Sequence, residues 1–582
     1  MNTVKIIPLG GVREEGKNMY VIEVNDSIFI LDCGLVFPEE SMLGIDAIIP
    51  DFTYVEENRD RVQGVFLTHG HDDAIGGLPY LLDIIDVPVF GTELTIELAK
   101  LSAKKQGLTD RLDQFYKVDA DTEIEFEDAT VSFFRTTHTI PDSVGIVVHT
   151  PEGNVVYTGD FKLDPSASEL YQTDYDRLIE LGKEGVLALL SDSADAESPI
   201  RSVSDSTIIK DMESIFMNAK GRVVVAAIAS NISRIQQLLE VAHKTQRQIF
   251  FADDDLTDII DLAIKLDKIQ LPSRDVIGKS DRLNDTHDDE VIILQTGGVG
   301  EPIQGLNAMA TGHHPKANLK EGDFVYMATT PSTAMETAMA KTKDLVYRAK
   351  AETRTINENH KVSGHASQDD LKFMLNFLKP TYLIPVNGES RMLAAHADVA
   401  EEIGYHPNQI FRANIGDVIE YKNNKMTMTA TIQAGDVLVD GSGVGDIGNV
   451  VLRDRRILSE DGIFIVVATI SRRLGKVLVG PQITSRGFVY MKTSIDLIQV
   501  CSDITLDVLE EHLASKQFDW GDLKNDLREK LGKYLFKETQ RRPVILPIIM
   551  EASSYQPDQN PSNQHKQSKG KQNRRKKSRK QA

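Results

Sequence analysis

The sequence predicts an α/β protein of several domains organised around a metal-binding loop. Three observations predict it. At 582 residues the chain is too long for one hydrophobic core. Short β-like runs alternate with helical periodicity along most of its length. Histidine and aspartate recur just past the ends of successive strand-like runs, where loops can converge on a common point.

In chain order, residues 4–7, 19–24 and 28–31 are β-runs split by turn residues such as Asn25-Asp26. Gly10-Gly11 and Asp32-Cys33-Gly34 are tight loops expected to face the metal site. The β-run 64–67 leads into Thr68-His69-Gly70-His71-Asp72-Asp73-Ala74-Ile75-Gly76-Gly77, and an apolar helix follows over 78–85. Two histidines two apart can aim both rings at one metal, and Asp73 can reach a neighbouring one. Taken alone, His69 and His71 fit two surface histidines as well. The ligand set then continues in order: His138 follows the strand-like 130–135, and Asp160 follows 154–157. His69, His71, His138 and Asp160 make a three-imidazole, one-carboxylate shell, which suits zinc. A helix is expected over 92–106. A buried strand over 188–192 ends in Asp192, which either faces the site or caps the segment from Ala194.

A second α/β unit begins near residue 203, with helices over 204–219 and 232–243 and a strand over 222–227. Between strand and helix lies Ala229-Ser230-Asn231-Ile232-Ser233-Arg234, where backbone N–H groups and an arginine can hold a phosphate. Thr296-Gly297-Gly298-Val299-Gly300-Glu301-Pro302 follows the β-run 291–294; each such loop can also simply turn the chain. A helix over 332–348 precedes Lys361-Val362-Ser363-Gly364-His365. Next come a helix (369–378), a strand (382–385) and the turn Val386-Asn387-Gly388-Glu389. Glycines at 441–445 mark a linker. A last small α/β unit carries strands at 463–467 and 476–479 and helices near 494–513 and 520–536.

Hydrophobic residues make up 41% and charged residues 26%, as in soluble globular proteins. The two cysteines, Cys33 and Cys501, exclude a disulfide framework. No apolar run is long enough to span a membrane and no signal peptide is visible, so a cytoplasmic protein is expected. The net charge of −22 argues against a protein that coats nucleic acid through a basic surface. The exception is the end of the chain, where residues 566–582 hold nine Lys or Arg and no acid. The tail from 553 has almost nothing to bury and is expected to be disordered.

The Thr68–Gly77 loop resembles the His-x-His-x-Asp-His loop of the metallo-β-lactamase superfamily. With Leu9-Gly10-Gly11, Gly16-Lys17-Asn18, Ile140-Pro141-Asp142-Ser143, Thr158-Gly159-Asp160-Phe161-Lys162, Leu190-Ser191-Asp192-Ser193, Ala229-Ser230-Asn231, Arg234-Ile235-Gln236, Gly300-Glu301-Pro302, Ser363-Gly364-His365 and Gly388-Glu389, the resemblance extends over about residues 4–552. The chain resembles ribonuclease J, of the β-CASP group of metallo-β-lactamase-fold nucleases. The resemblance implies a metallo-β-lactamase αββα sandwich split by an inserted α/β β-CASP domain, plus a small α/β C-terminal domain. The expected boundaries are 1–205 and 356–430 for the sandwich, 206–355 for the insert, 431–450 for the linker, 451–552 for the C-terminal domain and 553–582 for the tail.

It also implies 5′-monophosphorylated RNA as substrate, cut internally or degraded from its 5′ end, with two zinc ions. Asp73, Asp192 and His365 match catalytic positions. Ser230, Asn231, Ser233, Arg234, Gly297, Gly300, Lys361, Val362, Ser363, Gly364 and His365 match substrate-binding loops. The second ion would need Asp73, Asp160 and histidines at 74 and 387, where this chain has Ala74 and Asn387. Ser233, Gly298-Val299 and Lys361 also depart from the family pattern. One tightly bound zinc, or manganese, is therefore expected, with the second ion weak or absent. This most resembles the degenerate second paralogue of Firmicutes-type bacteria. Such a chain would act in a complex with an active paralogue, as a homodimer or hetero-oligomer joined through the C-terminal domain. Two alternatives are a fully competent zinc-dependent exo- and endoribonuclease, and a metallo-hydrolase of small substrates.

Overall fold

The structure is a computed structural model and describes residues 2–39, 42–252, 255–297, 301–329, 336–441, 443–490, 494–515 and 517–552. The expectations for Gly298-Val299, Gly300 and the tail from 553 fall outside these residues. The chain divides into two compact units, Met1–Glu40 with Gly44–Ile447, and Ser41–Leu43 with Gly448–Ala582.

The first unit contains two facing sheets. One has eight strands in the order Lys425–Thr431, Asp417–Lys422, Val4–Gly10, Met19–Val24, Ser27–Leu31, Val62–Phe66, Val89–Gly91 and Phe115–Lys117. The other has six, in the order Tyr382–Val386, Val186–Asp192, Gly153–Tyr157, Val144–Thr150, Thr130–Arg135 and Glu123–Glu125. The two-residue period of a strand sorts their side chains. Phe29, Leu31 and Phe66 meet Phe133, Ile146, Val148 and Val155 in one core between the sheets. The alternate residues Ile30, Val65 and Leu67 pack under the helices Leu78–Ile84 and Glu93–Lys105. Phe134, Val147 and Val156 pack under Tyr175–Glu184 and Gln368–Leu378. The layers therefore run helix, sheet, sheet, helix.

Between Asp192 and the strand Tyr382–Val386 the chain builds a five-stranded, all-parallel sheet. Its order is Gln248–Phe251, Val291–Gln295, Val223–Ala226, Phe324–Met327, Glu352–Thr355. Helices cover both faces, as a buried parallel sheet requires. Asp205–Asn218 and Ile232–Lys244 lie against Val223 and Val225, while Glu301–Thr311 and Glu336–Arg348 lie against Val224 and Ala226. The helix Ile232–Lys244 starts just past the carboxyl end of Val223–Ala226, which puts Ser230 and Asn231 where loops of such sheets gather.

One expectation needs correction. Residues 431–450 are not a plain linker. They carry the strand Asp436–Asp440, antiparallel to Ala47–Pro50 and to Gly443–Val444. Val439 is buried there and Val437 packs on the core, so the flanking glycines bound a strand.

In the second unit, Ile463–Ser471 is the central strand, antiparallel to Lys476–Arg486 and parallel to Val544–Glu551. Phe464, Val466, Ala468 and Ile470 alternate onto one face. There they meet Cys501, Val508 and Leu509 of the helix Ile495–Ala514, and Leu523, Leu527, Leu531 and Leu535 of the helix Trp520–Thr539. The four leucines, each one turn after the last, form a single buried stripe.

Candidate metal centre

Five strand ends deliver donors to one place. His69 and His71 follow Val62–Phe66, His138 follows Thr130–Arg135, Asp160 follows Gly153–Tyr157, Asp192 ends Val186–Asp192, and Asn387 follows Tyr382–Val386. The ring centroids of His69, His71 and His138 lie 4.8–5.0 Å apart. Asp160 Oδ2 is 3.7 Å from His69 Nε2 and 3.9 Å from His138 Nε2. The ligand atoms of His69, Asp73 and Asp160 lie within 4.8 Å of one another, as do those of the three histidines and those of Asp160, Asp192 and His365.

The outer hydrogen bonds fix the tautomers. His71 Nε2 faces the Ser230 carbonyl at 3.2 Å, and His138 Nδ1 faces the Gly364 carbonyl at 2.9 Å. A carbonyl only accepts, so these nitrogens carry the protons. The Thr68 hydroxyl donates to Asp32 Oδ2 at 2.8 Å and therefore accepts from His69 Nδ1 at 2.9 Å. The inner nitrogens are left with lone pairs. His138 Nε2 and His71 Nδ1 then face each other at 3.1 Å, and His69 Nε2 is buried with no hydrogen-bond partner among the described residues. Opposed lone pairs repel unless a cation lies between them, so these residues fit a divalent ion.

The electrostatics agree. Burial and the charge on His69 push His71 down to about 3. Burial, then His71 and His69, push His138 well below the ordinary imidazole value. Both are neutral ligands at pH 7. His69 behaves oppositely: burial opposes its charge, but the carboxylates of Asp73, Asp160 and Asp32 outweigh that and raise it to about 9. Burial and the Asp73 charge raise Asp160 well above the carboxylate range. Burial would raise Asp73 too, but His69 beside it holds it low.

The other half of the centre differs. Ala74 lies in the helix Asp72–Ile75, fully buried in the apolar core, and brings no donor. Asp73 Oδ2 accepts from Asn18 Nδ2 at 2.9 Å. Asn387 directs its side-chain Nδ2 at Asp160 Oδ1, 2.7 Å away, and at Asp192 Oδ1, 3.4 Å away. An amide N–H donates and cannot ligate a cation. The residues at 74 and 387 do not fit a second ion.

Asp192 does both things the sequence allowed. Its Oδ1 accepts the Ala194 N–H at 3.0 Å, and its Oδ2 holds His365 Nδ1 at 2.9 Å. Burial opposes the His365 charge, but Asp192 raises its pKa well above the ordinary value.

Several residues expected to bind substrate hold the protein together. Asn231 caps the helix Ile232–Lys244 by accepting the Arg234 N–H at 2.9 Å. The Ser233 N–H donates to Thr139 O at 3.0 Å, and its hydroxyl to Asp205 Oδ2 at 3.2 Å. Arg234 is buried and donates to Gln237; its Nε finds no hydrogen-bond partner among the described residues. The Gly297 carbonyl accepts the Ala229 N–H, which joins the two loops. Lys361 Nζ is paired with Asp195 at 2.7 Å. The Ser363 N–H donates to Ser202 Oγ at 3.0 Å, and Ser363 Oγ accepts the His365 N–H at 3.1 Å; Val362 is buried beside them. The sequence placed the Asp32 loop at the site, and Thr68 and Asn18 in motifs, without giving these side chains a task; it gave no role to Asp195 or Asp205. Only the fold brings Asp195 and Asp205 to Lys361 and Ser233.

Comparison with known proteins assigns four segments of the chain. Residues 12–196 match the metallo-beta-lactamase superfamily and 220–346 the ribonuclease J beta-CASP domain. Residues 350–410 match a Zn-dependent metallo-hydrolase RNA specificity domain, and 450–552 the ribonuclease J C-terminal domain. A Streptococcus pyogenes protein named ribonuclease J 2 is 49% identical over 95% of this chain and 100% of its own length. A Staphylococcus aureus protein of the same name is 43% identical over 94% of this chain and 98% of its own. Among solved structures, an Enterococcus faecalis protein of unknown function superimposes with a TM-score of 0.51 at 14% identity. It covers 72% of this chain and all of its own, and it supports the fold alone.

Proposed function

The chain belongs to the ribonuclease J family of metal-dependent, RNA-processing ribonucleases, and from that premise we propose that it is a weakly active or inactive subunit, working in RNA turnover mainly beside an active paralogue. The observation that carries this reading is the Asn387 amide, which donates to Asp160 where a second ion would need a ligand. Changes outside the ligand shell already cost roughly 10–100-fold in affinity or activity, and two missing ligands cost more.

What remains is a one-ion centre with an acid beside it. His69, His71, His138 and Asp160 would hold a zinc or manganese ion, which when bound lowers the pKa of water and draws charge from a phosphate. Asp192 orients His365 through Nδ1 and keeps it protonated. No described protein group takes its Nε2–H, so that proton is available to the scissile phosphate or the leaving oxygen. Asp73, held by Asn18, adds a second carboxylate beside the histidines.

We assign the strip from Ser230 to Arg234, with Gly297, Gly300 and 361–365, to the RNA path, with 5′-monophosphorylated RNA as substrate in the cytoplasm. No helix among the described residues is long and apolar enough to cross a membrane. The second unit we assign to association with another copy or with the paralogue. The face of its sheet opposite its helices leaves Val479, Leu546, Ile548 and Met550 exposed as an apolar strip.

The test is RNA hydrolysis by the purified chain, alone and mixed with an active family member. The reading expects little activity alone, and co-elution with the partner that is lost when residues 448–582 are removed. Rapid turnover by the chain alone would overturn it. A second reading, a competent enzyme that recruits its second ion through Asp73, Asp160 and waters, draws on one observation: ligand atoms of His69, Asp73 and Asp160 lie within 4.8 Å of one another.

A further inference from the structure

Carboxylates gathered away from water repel one another unless a cation or hydrogen-bond donors compensate. Asp160 and Asp192 are respectively 4% and 1% exposed and belong to one cluster of ligand-type atoms. Three of their four oxygens have evident companions. Asp160 Oδ2 faces the histidines, Asp192 Oδ2 holds His365, and Asp192 Oδ1 accepts the Ala194 N–H. Asp160 Oδ1 has the Asn387 Nδ2 at 2.7 Å, and the same nitrogen lies 3.4 Å from Asp192 Oδ1. One amide spans the two acids.

Its orientation is determined. Asn387 Oδ1 accepts the Gly16 N–H at 3.3 Å, so turning the amide over would set its oxygen against Asp160 and its nitrogen against the Gly16 N–H. The backbone is fixed as well. The Asn387 N–H donates to Gly11 O at 2.6 Å and its carbonyl accepts the Ser193 N–H at 3.3 Å. With φ at 48°, it sits in the left-handed region, which asparagine tolerates better than branched or bulky residues. The loop that supplies the Gly16 N–H is itself anchored. Lys17, fully buried, pairs with Glu14 at 3.2 Å and with Asp436 at the start of the strand Asp436–Asp440. Asn18, next along, donates to Asp73.

We propose that Asn387 replaces a second metal ion: its amide holds Asp160 and Asp192 together by hydrogen bonding and occupies the Asp160 oxygen that a shared ion would need. The centre is thus complete with one ion, not a two-ion centre with one missing. This deepens the weak-subunit reading and rests on it in taking the histidine cluster as the metal site.

The experiment uses the full chain and two variants, with thermal melting and bound metal measured as zinc or manganese is added. Asn387→Asp keeps the shape and the acceptor for Gly16 but turns the donor into a third acid. Asn387→Gly suits the positive φ and removes the amide altogether, which keeps the test usable if the first variant folds poorly. In wild type, melting temperature should rise with the first equivalent of metal and then level off. Both variants carrying one ion should melt roughly 3–6 °C lower. Asn387→Asp should recover on a second equivalent, bound as a second ion. Variants that melt like wild type and ignore a second equivalent would overturn the proposal while leaving the one-ion reading intact. Wild type that itself binds two ions tightly would remove the one-ion reading and the proposal with it.

Discussion

The two sides of the centre, divided at Asp160, satisfy their polar atoms in opposite ways. On the histidine side every outer N–H is tied to a fixed oxygen, of Asp32 through Thr68, of Ser230, or of Gly364, and the inner nitrogens are left bare. On the carboxylate side Asp73, Asp160 and Asp192 already accept from Asn18, Asn387, Ala194 and His365. The first arrangement is costly until a cation arrives; the second is already satisfied. On the proposed reading, partnering of buried polar atoms, more than a tally of ligand residues, distinguishes the side that would take an ion from the side that would not.

The largest expected effect removes the bare side. His69→Ala with His71→Ala should lower bound metal by more than about tenfold, measured by elemental analysis of protein purified without chelator. Metal retained near the wild-type level would mean that the ion sits elsewhere.

The next perturbation tries to convert the satisfied side. Ala74→His and Asn387→His singly should change hydrolysis of 5′-monophosphorylated RNA by less than about threefold, and together by more than the product of the two. Because Ala74 is fully buried, the new imidazole must displace apolar neighbours, so the double variant should also melt lower. A double variant that binds a second ion yet stays inactive would move the defect to the loops at Ser233, Gly298-Val299 and Lys361.

A smaller effect tests the outer bonds. Thr68→Val cuts the link from Asp32 to His69 and should weaken zinc binding by about 10–100-fold without changing the number of ions. Unchanged affinity would mean that the tautomer of His69 does not depend on Thr68. The smallest concerns a region away from the centre. Deleting residues 566–582 should weaken RNA binding by a few-fold (on the order of 1 kcal/mol) at low salt and flatten its salt dependence. Equal binding with and without them would leave those nine cations no part in RNA contact.

Much of this arrangement was legible in the sequence, because it rests on local signals. The metal-type residues stand directly after β-runs, and the expected helices over 92–106 and 204–219 run Glu93–Lys105 and Asp205–Asn218. What was not legible depends on distant partners. The strand Asp436–Asp440 lies among glycines and shows itself only by pairing with Ala47–Pro50, nearly four hundred residues earlier in the chain. Its Asp436 in turn fixes Lys17 and the loop that orients Asn387. Asp195 and Asp205, which hold Lys361 and Ser233, are ordinary surface-type acids in the sequence. Asn387 itself read as a missing histidine. That its amide bridges two acids depends on three loops meeting, which no sequence window contains.

The central claim is that the histidine side binds an ion and the carboxylate side does not. Calorimetric titration of the metal-free full chain with zinc, read together with native mass spectrometry, tests it most directly. The account predicts one tight site per chain and one ion in the saturated species. Two sites of comparable affinity, with two ions in the saturated species, would contradict it.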